Sequence, residues 1–313
     1  MKWSMKKIDF AEVQADKKNW TTTQFNTSCH TQAEAPDKSP ATEEPYSYSK
    51  WLPVILRSRG LPAFACQRIT LTSLQVNVLI EACNASIQIG RINLSVAEDL
   101  NDQIAPAFSQ LVFPPEGLFV RLNVCSPKDG AQKVPGKVSL HTIEEIILRL
   151  VTSCRCRSAL ERCVAAGTPV ELFFMPFDRR LSPDKEYHVF SRPEDLRITG
   201  ISQYRWHEPW RYVNQSEDQQ REIMQTICSA ADDFVSQIYY HTETNADLAF
   251  QFLKQGVSFD LFYDELSKEV EMVELNPFGI RSPSGSCLFH WVKDRRILYD
   301  EDRKKGIEFW VSF

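Results

Sequence analysis

The stretch from Gly256 to Gly279 constrains the fold most, and it reads G-V-S-F-D-L-F-Y-D-E-L-S-K-E-V-E-M-V-E-L-N-P-F-G. Val257 to Tyr263 and Val270 to Asn276 each alternate with a period of two and are rich in aromatic and β-branched side chains. With the polar run Asp264 to Glu269 between them, they predict a β-hairpin. Val257, Phe259, Leu261 and Tyr263 fall on one face of the first strand, and Ser258, Asp260 and Phe262 on the other. In the second strand Val270, Met272, Glu274 and Asn276 share a face. Folding about the turn sets Asp260 opposite Glu274, with Asn276 one pleat further along. Like charges directly opposed destabilise a strand pair by up to about 1 kcal/mol. A hard divalent cation such as Mg²⁺ would reverse that sign, because it takes carboxylate and amide oxygens as ligands. Two well-hydrated acids on a solvent-facing strand are the other reading of the same spacing.

With 313 residues the chain can bury a sizeable core, in one large domain or two closely packed ones. A net charge of −5 without a basic block gives no sign of a nucleic-acid partner. No apolar run approaches the roughly 20 residues of a membrane helix, so no membrane association is expected. Met1 to Ile8 is basic but leads into no hydrophobic segment, which argues against a secretory signal. Nine cysteines are an odd number, and Cys66, Cys83, Cys228 and Cys287 lie in apolar surroundings, as buried thiols of a reducing, cytosolic compartment do. Cys154, Cys156 and Cys163 cluster without a C-x-x-C pair, so zinc is not expected there.

Residues 1–45 are polar, with the proline-punctuated run Thr31 to Pro45, and are expected to form a mostly disordered tail that Trp3, Ile8, Phe10 and Trp20 pin in part. Folded lobes are then expected over 46–168 and 169–313. Thr72 and Gln75 read as the capping box of a helix to Cys83, with Leu74, Val78, Leu79 and Cys83 as its stripe. Gly117 to Val124 alternates as a strand. Thr142 and Glu145 open a helix that Gly167 ends, with a stripe of Ile143, Ile146, Ile147, Leu150 and Cys154. Pro169 to Phe174, Glu186 to Phe190 and Arg197 to Tyr204 read as strands, and Ser216 with Gln219 caps a long helix. A helix from Ser286 and a last strand from Ile307 to Phe313 follow the hairpin. The order implies an α+β fold with mainly antiparallel sheets.

Neither G-x-x-x-x-G-K-[ST] nor G-x-G-x-x-G nor G-x-S-x-G occurs, and the six histidines form no close pair in sequence. What remains is a set of strand-borne polar residues: Arg121, Asn123 and Lys128; Glu186 and His188; Gln203 and Arg205; and Asp260, Glu274 and Asn276. Such residues hold a nucleotide without a glycine loop when cations meet the phosphates and carboxylates meet Mg²⁺. They equally suit a polar outer face.

Several blocks, in order over residues 46–293, resemble the cell division cycle protein 123 family. Leu118 to Asp129 (L-F-V-R-L-N-V-C-S-P-K-D) is similar to its K-L-N-W-S-A-P-R-D, and Glu186 to Phe190 with Gly200 to Gln203 to its E-F-R-C-F and G-I-S-Q. Phe259 to Tyr263 and Val273 to Gly279 resemble its F-D-I-Y and I-D-F-N-P-F-G. Leu288 to Trp291 and Tyr46 to Leu52 echo its closing and opening segments. The resemblance implies an ATP-grasp-like α+β fold of two lobes with a cleft between them that takes ATP. It also implies a cytosolic, ATP-dependent assembly chaperone for translation initiation factor 2, acting on the gamma subunit. By position, Asp260, Glu274 and Asn276 would hold Mg²⁺ and ATP, and Arg121 and Lys128 the phosphates. Ser126 and Glu186 would be further nucleotide contacts, and Phe177 would lie near the base.

The departures fall on the cations. The family's L-R-K-W is F-M-P-F here (Phe174 to Phe177), and its second-strand arginine is His188. A hydrogen bond to a charged group is worth roughly 1.5–3 kcal/mol, so each such loss weakens a phosphate clamp. A diverged ATP-grasp ligase joining a carboxylate to an amine, and a binding module that has lost its nucleotide, stand as alternatives to the assembly factor.

Overall fold

The computed structural model describes residues 2–18, 23–243, 245–303 and 306–313. In chain order the elements are β1 (Trp3–Ile8), α1 (Phe10–Lys18), α2 (Tyr48–Ser58), β2 (Gln67–Leu71), α3 (Ser73–Ser86), a single turn α4 (Ala97–Asp99) and β3 (Leu118–Leu122). There follow α5 (Ile143–Val151), α6 (Cys154–Ala166), β4 (Val170–Pro176), β5 (Glu186–Ser191), β6 (Ile198–Gln203) and α7 (Glu217–Thr242). The chain closes with α8 (Ala246–Gln255), β7 (Val257–Asp264), β8 (Glu269–Pro277), α9 (Arg295–Leu298) and β9 (Ile307–Ser312). Two compact units result, one of Pro62–Arg179 and one of Met1–Leu61 with Arg180–Phe313. The fold is α+β.

In the inserted unit, β2, β4 and β3 form an antiparallel sheet. Leu118, Val120, Leu122, Leu172 and Phe174 point from it into a core shared with α3, α5 and α6. The Thr72–Gln75 capping box forms as expected, but the buried stripe of α3 is Val76, Leu79, Ala82 and Cys83, and Leu74 is exposed. The single helix expected from Thr142 to Gly167 is two. It breaks at Thr152 and Ser153, where Ser153 Oγ accepts from Cys156 N at 3.0 Å and starts α6. The break has a use: Ser153 Oγ also donates to Asp129 Oδ1 at 2.5 Å, and Thr152 Oγ1 accepts from Ala131 N at 2.7 Å. A loop anchored to the helix junction is the gain that offsets the interrupted helix.

The other unit carries a sheet in the order β1-β9-β6-β5-β7-β8, antiparallel except where β9 runs parallel to β1 and β6. α7 lies against β6, β7 and β8, with Ile223, Ile227, Ala231, Phe234 and Ile238 buried. The capping box of Ser216 and Gln219 starts it. The expected tail is ordered over its described residues: β1 adds an edge to β9, Ile8 is buried, and Trp3 Nε1 donates to Gln225 Oε1 at 2.8 Å. Side-chain bonds hold residues 23–42 where apolar burial is too sparse to do so. Thr27 Oγ1 accepts from Trp291 N at 3.1 Å, Asp37 pairs with Arg295 at 2.5 Å and Thr42 bonds Gln255 at 3.0 Å. Trp20 lies outside the described residues. By internal contact the chain divides after Leu61 and after Arg179, and residues 1–61 belong with 180–313. The segment from Ser286 is turns rather than helix, followed by the short α9 and then β9, and packs Phe289 and Trp291 into a core with Phe190, Phe278 and Trp310.

Candidate functional site

β5, β7 and β8 place the acids. Gly256 ends α8 and starts β7 with φ +80°, and a Cβ there would lie 2.7 Å from Ser191 O. Only glycine fits, and it fixes where the hairpin begins. The register then pairs Asp260 with Glu274, as the alternation predicts, and His188 of β5 with Asp260 on its other side. Glu186 pairs with Phe262 and Asn276 with Ser258.

The hairpin is not regular. Leu261 pairs with Met272, so Val273 is an extra residue and the ladder shifts beside Asp260. The bulge separates Met272 from Glu274: Met272 joins Leu261 in the core, and Glu271 comes opposite Phe262 on the acids' face. The common face expected for Val270, Met272, Glu274 and Asn276 is broken there. α2 holds the irregular edge, since Met272 N donates to Ser58 Oγ at 3.0 Å and Arg59 Nε to Met272 O at 3.1 Å.

Asp260 is 1% exposed and is the hub of the patch. Its Oδ1 lies 2.5 Å from His188 Nδ1, and its Oδ2 accepts from Asn276 Nδ2 at 3.2 Å. His188 is buried, and among the described residues its Nε2 finds no hydrogen-bond partner. Tyr204 lies in the field of the same acids. Burial, then the charges of Asp260, Glu274 and Glu186, hold its hydroxyl well above the usual tyrosine range. Burial followed by Asp260 and Glu186 does the same to the Cys287 thiol. Farther along the hairpin, Arg180 pairs with Glu271 at 2.7 Å and Asp264 at 3.1 Å. Burial raises the Asp264 carboxyl, but the Leu266 N–H and Arg180 outweigh it and leave it below its ordinary value.

The remaining predicted residues belong to the inserted unit. Arg121 on β3 is 6% exposed, pairs in register with Phe173, and donates from Nε to Leu122 O at 3.2 Å. Asn123 donates to Glu171 at 3.0 Å. Ser126 is buried and Lys128 exposed on the loop that Asp129 ties to Ser153, and Lys128 N donates to Ser126 O at 2.9 Å. Phe177, half-buried just beyond β4, donates its N–H to Gly117 O at 2.9 Å. The site residues thus fall into two groups: Glu186, Asp260, Glu274 and Asn276 in one unit, and Arg121, Ser126, Lys128 and Phe177 in the other.

Sequence reasoning missed the His188–Asp260 contact, since nothing local in either strand fixes the β5–β7 register. Gln203 is structural, its amide capping Arg205 O and Glu208 O and accepting from Ser312 N. His30 and His290, distant in sequence, bring their rings to 5.4 Å. Cys154 is exposed and Cys156 buried, and among the described residues no three His, Cys, Asp or Glu side chains come together to hold a metal.

Asp260, Glu274 and the Asn276 amide do fit a more modest demand. Mg²⁺ bound with a phosphate ligand needs one or two carboxylates and keeps water for the rest. Asn276 spends its nitrogen on Asp260, so the atom it would offer a cation is Oδ1. Buried Asp260 with half-buried Glu274 is the donor set such an ion takes.

No protein-family model matches the chain, and no curated protein matches it in sequence. Solved structures do match. The structure of Cdc123 from Schizosaccharomyces pombe aligns with a TM-score of 0.56 and 16% identity over 87% of this chain and 99% of that one. Its C-terminally truncated form aligns with a TM-score of 0.55 and 16% identity over 91% and 99%. At that identity the likeness is one of fold. The chain has the α+β fold of the Schizosaccharomyces pombe Cdc123 structures.

Proposed function

We propose that the chain is a cytoplasmic, Cdc123-like assembly factor that binds Mg²⁺ and ATP and acts on a protein client. The observation that supports it best is buried Asp260 opposed to half-buried Glu274 with Asn276 beside them, since two opposed acids in a sheet are a liability that a bound cation relieves. In this reading Asp260, Glu274 and Asn276 hold the metal, Glu186 is a further nucleotide contact, and His188 and Asn276 orient the Asp260 carboxylate. Arg121 and Lys128 serve the phosphates, with Ser126 and Phe177 as the remaining contacts. Bound metal would neutralise phosphate charge; the chain's residues bind and orient. The gamma subunit of translation initiation factor 2 is the first client to test, on the strength of the motif resemblance and shared fold.

A second reading has one observation behind it. His188 and Asn276 already engage both oxygens of Asp260, so the patch is self-sufficient as a structural network. In that case the fold serves as a binding module without nucleotide. Calorimetry of the full chain with ATP, with and without Mg²⁺, separates the two. Heat that requires Mg²⁺ supports the first, and none at millimolar ATP leaves the second. A pull-down with the gamma subunit tests the client, and phosphate release with carboxylate and amine substrates would mark a ligase instead.

A further inference from the structure

The C-terminal half of α7 carries a feature that the nucleotide reading does not use. Tyr239 and Tyr240 are 49% and 70% exposed, although tyrosine ordinarily buries its ring. Tyr240 lines a groove of about 440 Å³ between α7 and the end of α2, with Ser236, Gln237, His241 and Arg57. Its floor is fixed, because His241 Nε2 meets Lys50 O at 3.0 Å and the ring lies 5.1 Å from Trp51.

On the α7 side of the groove the formal charge has one sign. No Lys or Arg stands between Arg221 and Lys254, while Asp232, Asp233, Glu243 and Asp247 are all exposed. None of these four forms an ion pair with a described residue. Glu243 sits at the C-cap of α7, where a negative charge opposes the helix dipole and costs stability. Helix stability accounts for Asp247, in the first turn of α8, but not for Glu243, whose unfavourable sign an external cation would reverse. Arg57 places one positive charge on the α2 wall, so the partner's cations belong on the α7 side. An acidic surface repels phosphate backbones and anionic lipids alike.

We propose that this groove docks a basic segment of a partner protein, its Arg or Lys side chains meeting Asp232, Asp233 and Glu243 while Tyr240 packs against its apolar part. Arg stacked on tyrosine adds a cation–π contact, and exposed tyrosines of this kind dominate binding when covered. The proposal extends only the client-binding half of the function above, so calorimetry with ATP and the test below fail separately.

The test pans a random-peptide phage library on the full chain and removes phage that bind Tyr240→Ala. The retained peptides are expected to be net positive, rich in Arg or Lys. A synthetic copy should bind Asp232→Asn/Asp233→Asn at least about tenfold more weakly than wild type, and lose affinity with added salt. Tyr240→Ala should melt like wild type, its ring being exposed. The proposal is overturned if no peptide depends on Tyr240, if the dependent ones are neutral or acidic, or if the double variant binds equally. Sedimentation showing a dimer that Tyr240→Ala abolishes would also overturn it, a second copy then being the occupant.

Discussion

Replacing Asp260 by alanine asks whether the buried acid is a structural hub or a hydrated surface group. The side chain is 1% exposed and receives His188 Nδ1 at 2.5 Å and Asn276 Nδ2 at 3.2 Å. Alanine leaves both nitrogens without an acceptor, at about 1–3 kcal/mol for each buried group. His188 is 2% exposed and belongs at the upper end; Asn276 is half-buried and belongs at the lower. The sum is about 3–5 kcal/mol, the range found when one partner of a buried pair is removed. Asp260→Asn keeps one acceptor oxygen and should cost about 1–2 kcal/mol. The assay is urea unfolding followed by tryptophan fluorescence. The six described tryptophans all lie in the unit that contains Asp260, and none of the seven falls within Pro62–Arg179, so the signal reports no residue of the inserted unit. A loss below about 1 kcal/mol for Asp260→Ala would refute the burial argument and restore the reading of two solvated acids.

Two further expectations use the same assay. Gly256→Ala forces a side chain into φ +80° against Ser191 O and Pro193 N, and should cost about 3 kcal/mol or more; an unchanged midpoint would mean that the α8–β7 corner relaxes freely. Acid should weaken the 23–38 segment's hold on residues 280–294. Burial first, then Lys293 and His30, keep the His290 imidazole below its ordinary 6.5, so the unfolded chain binds the proton first. Stability is whole above about pH 6.5 and falls as pH drops through that value. His290→Asn should flatten this decline, and an unaltered slope would place its origin elsewhere.

The hairpin was legible because alternation with a period of two fixes faces, and a short turn leaves one register that buries Phe259 and Leu261 while opposing Asp260 to Glu274. The bulge at Val273 was not, since no residue type there announces it. It follows from α2 hydrogen-bonding Met272, a contact made across more than two hundred residues of chain. The break at Thr152 and Ser153 reflects the Asp129 loop, again a partner distant in sequence. The polar N-terminal segment misled for a related reason: composition measures what a segment can bury by itself, whereas β1 is ordered by the free edge of β9 and residues 23–42 by side chains of the C-terminal region. Of the candidate site, carboxylates on the hairpin could be placed by pattern alone. His188 could not, because its role arises from strand pairing rather than from its neighbours in the chain.

The central claim is that Glu274 and Asp260 form a metal-dependent nucleotide floor, and Glu274→Gln tests it most directly. Glu274 is half-buried, so this near-isosteric change removes charge without the stability loss expected at Asp260. Isothermal titration with ATP should give heat that requires Mg²⁺ in the wild type and an affinity at least about tenfold weaker in Glu274→Gln, the loss of one charged contact. Equal affinity in both proteins, or binding indifferent to Mg²⁺, would contradict it.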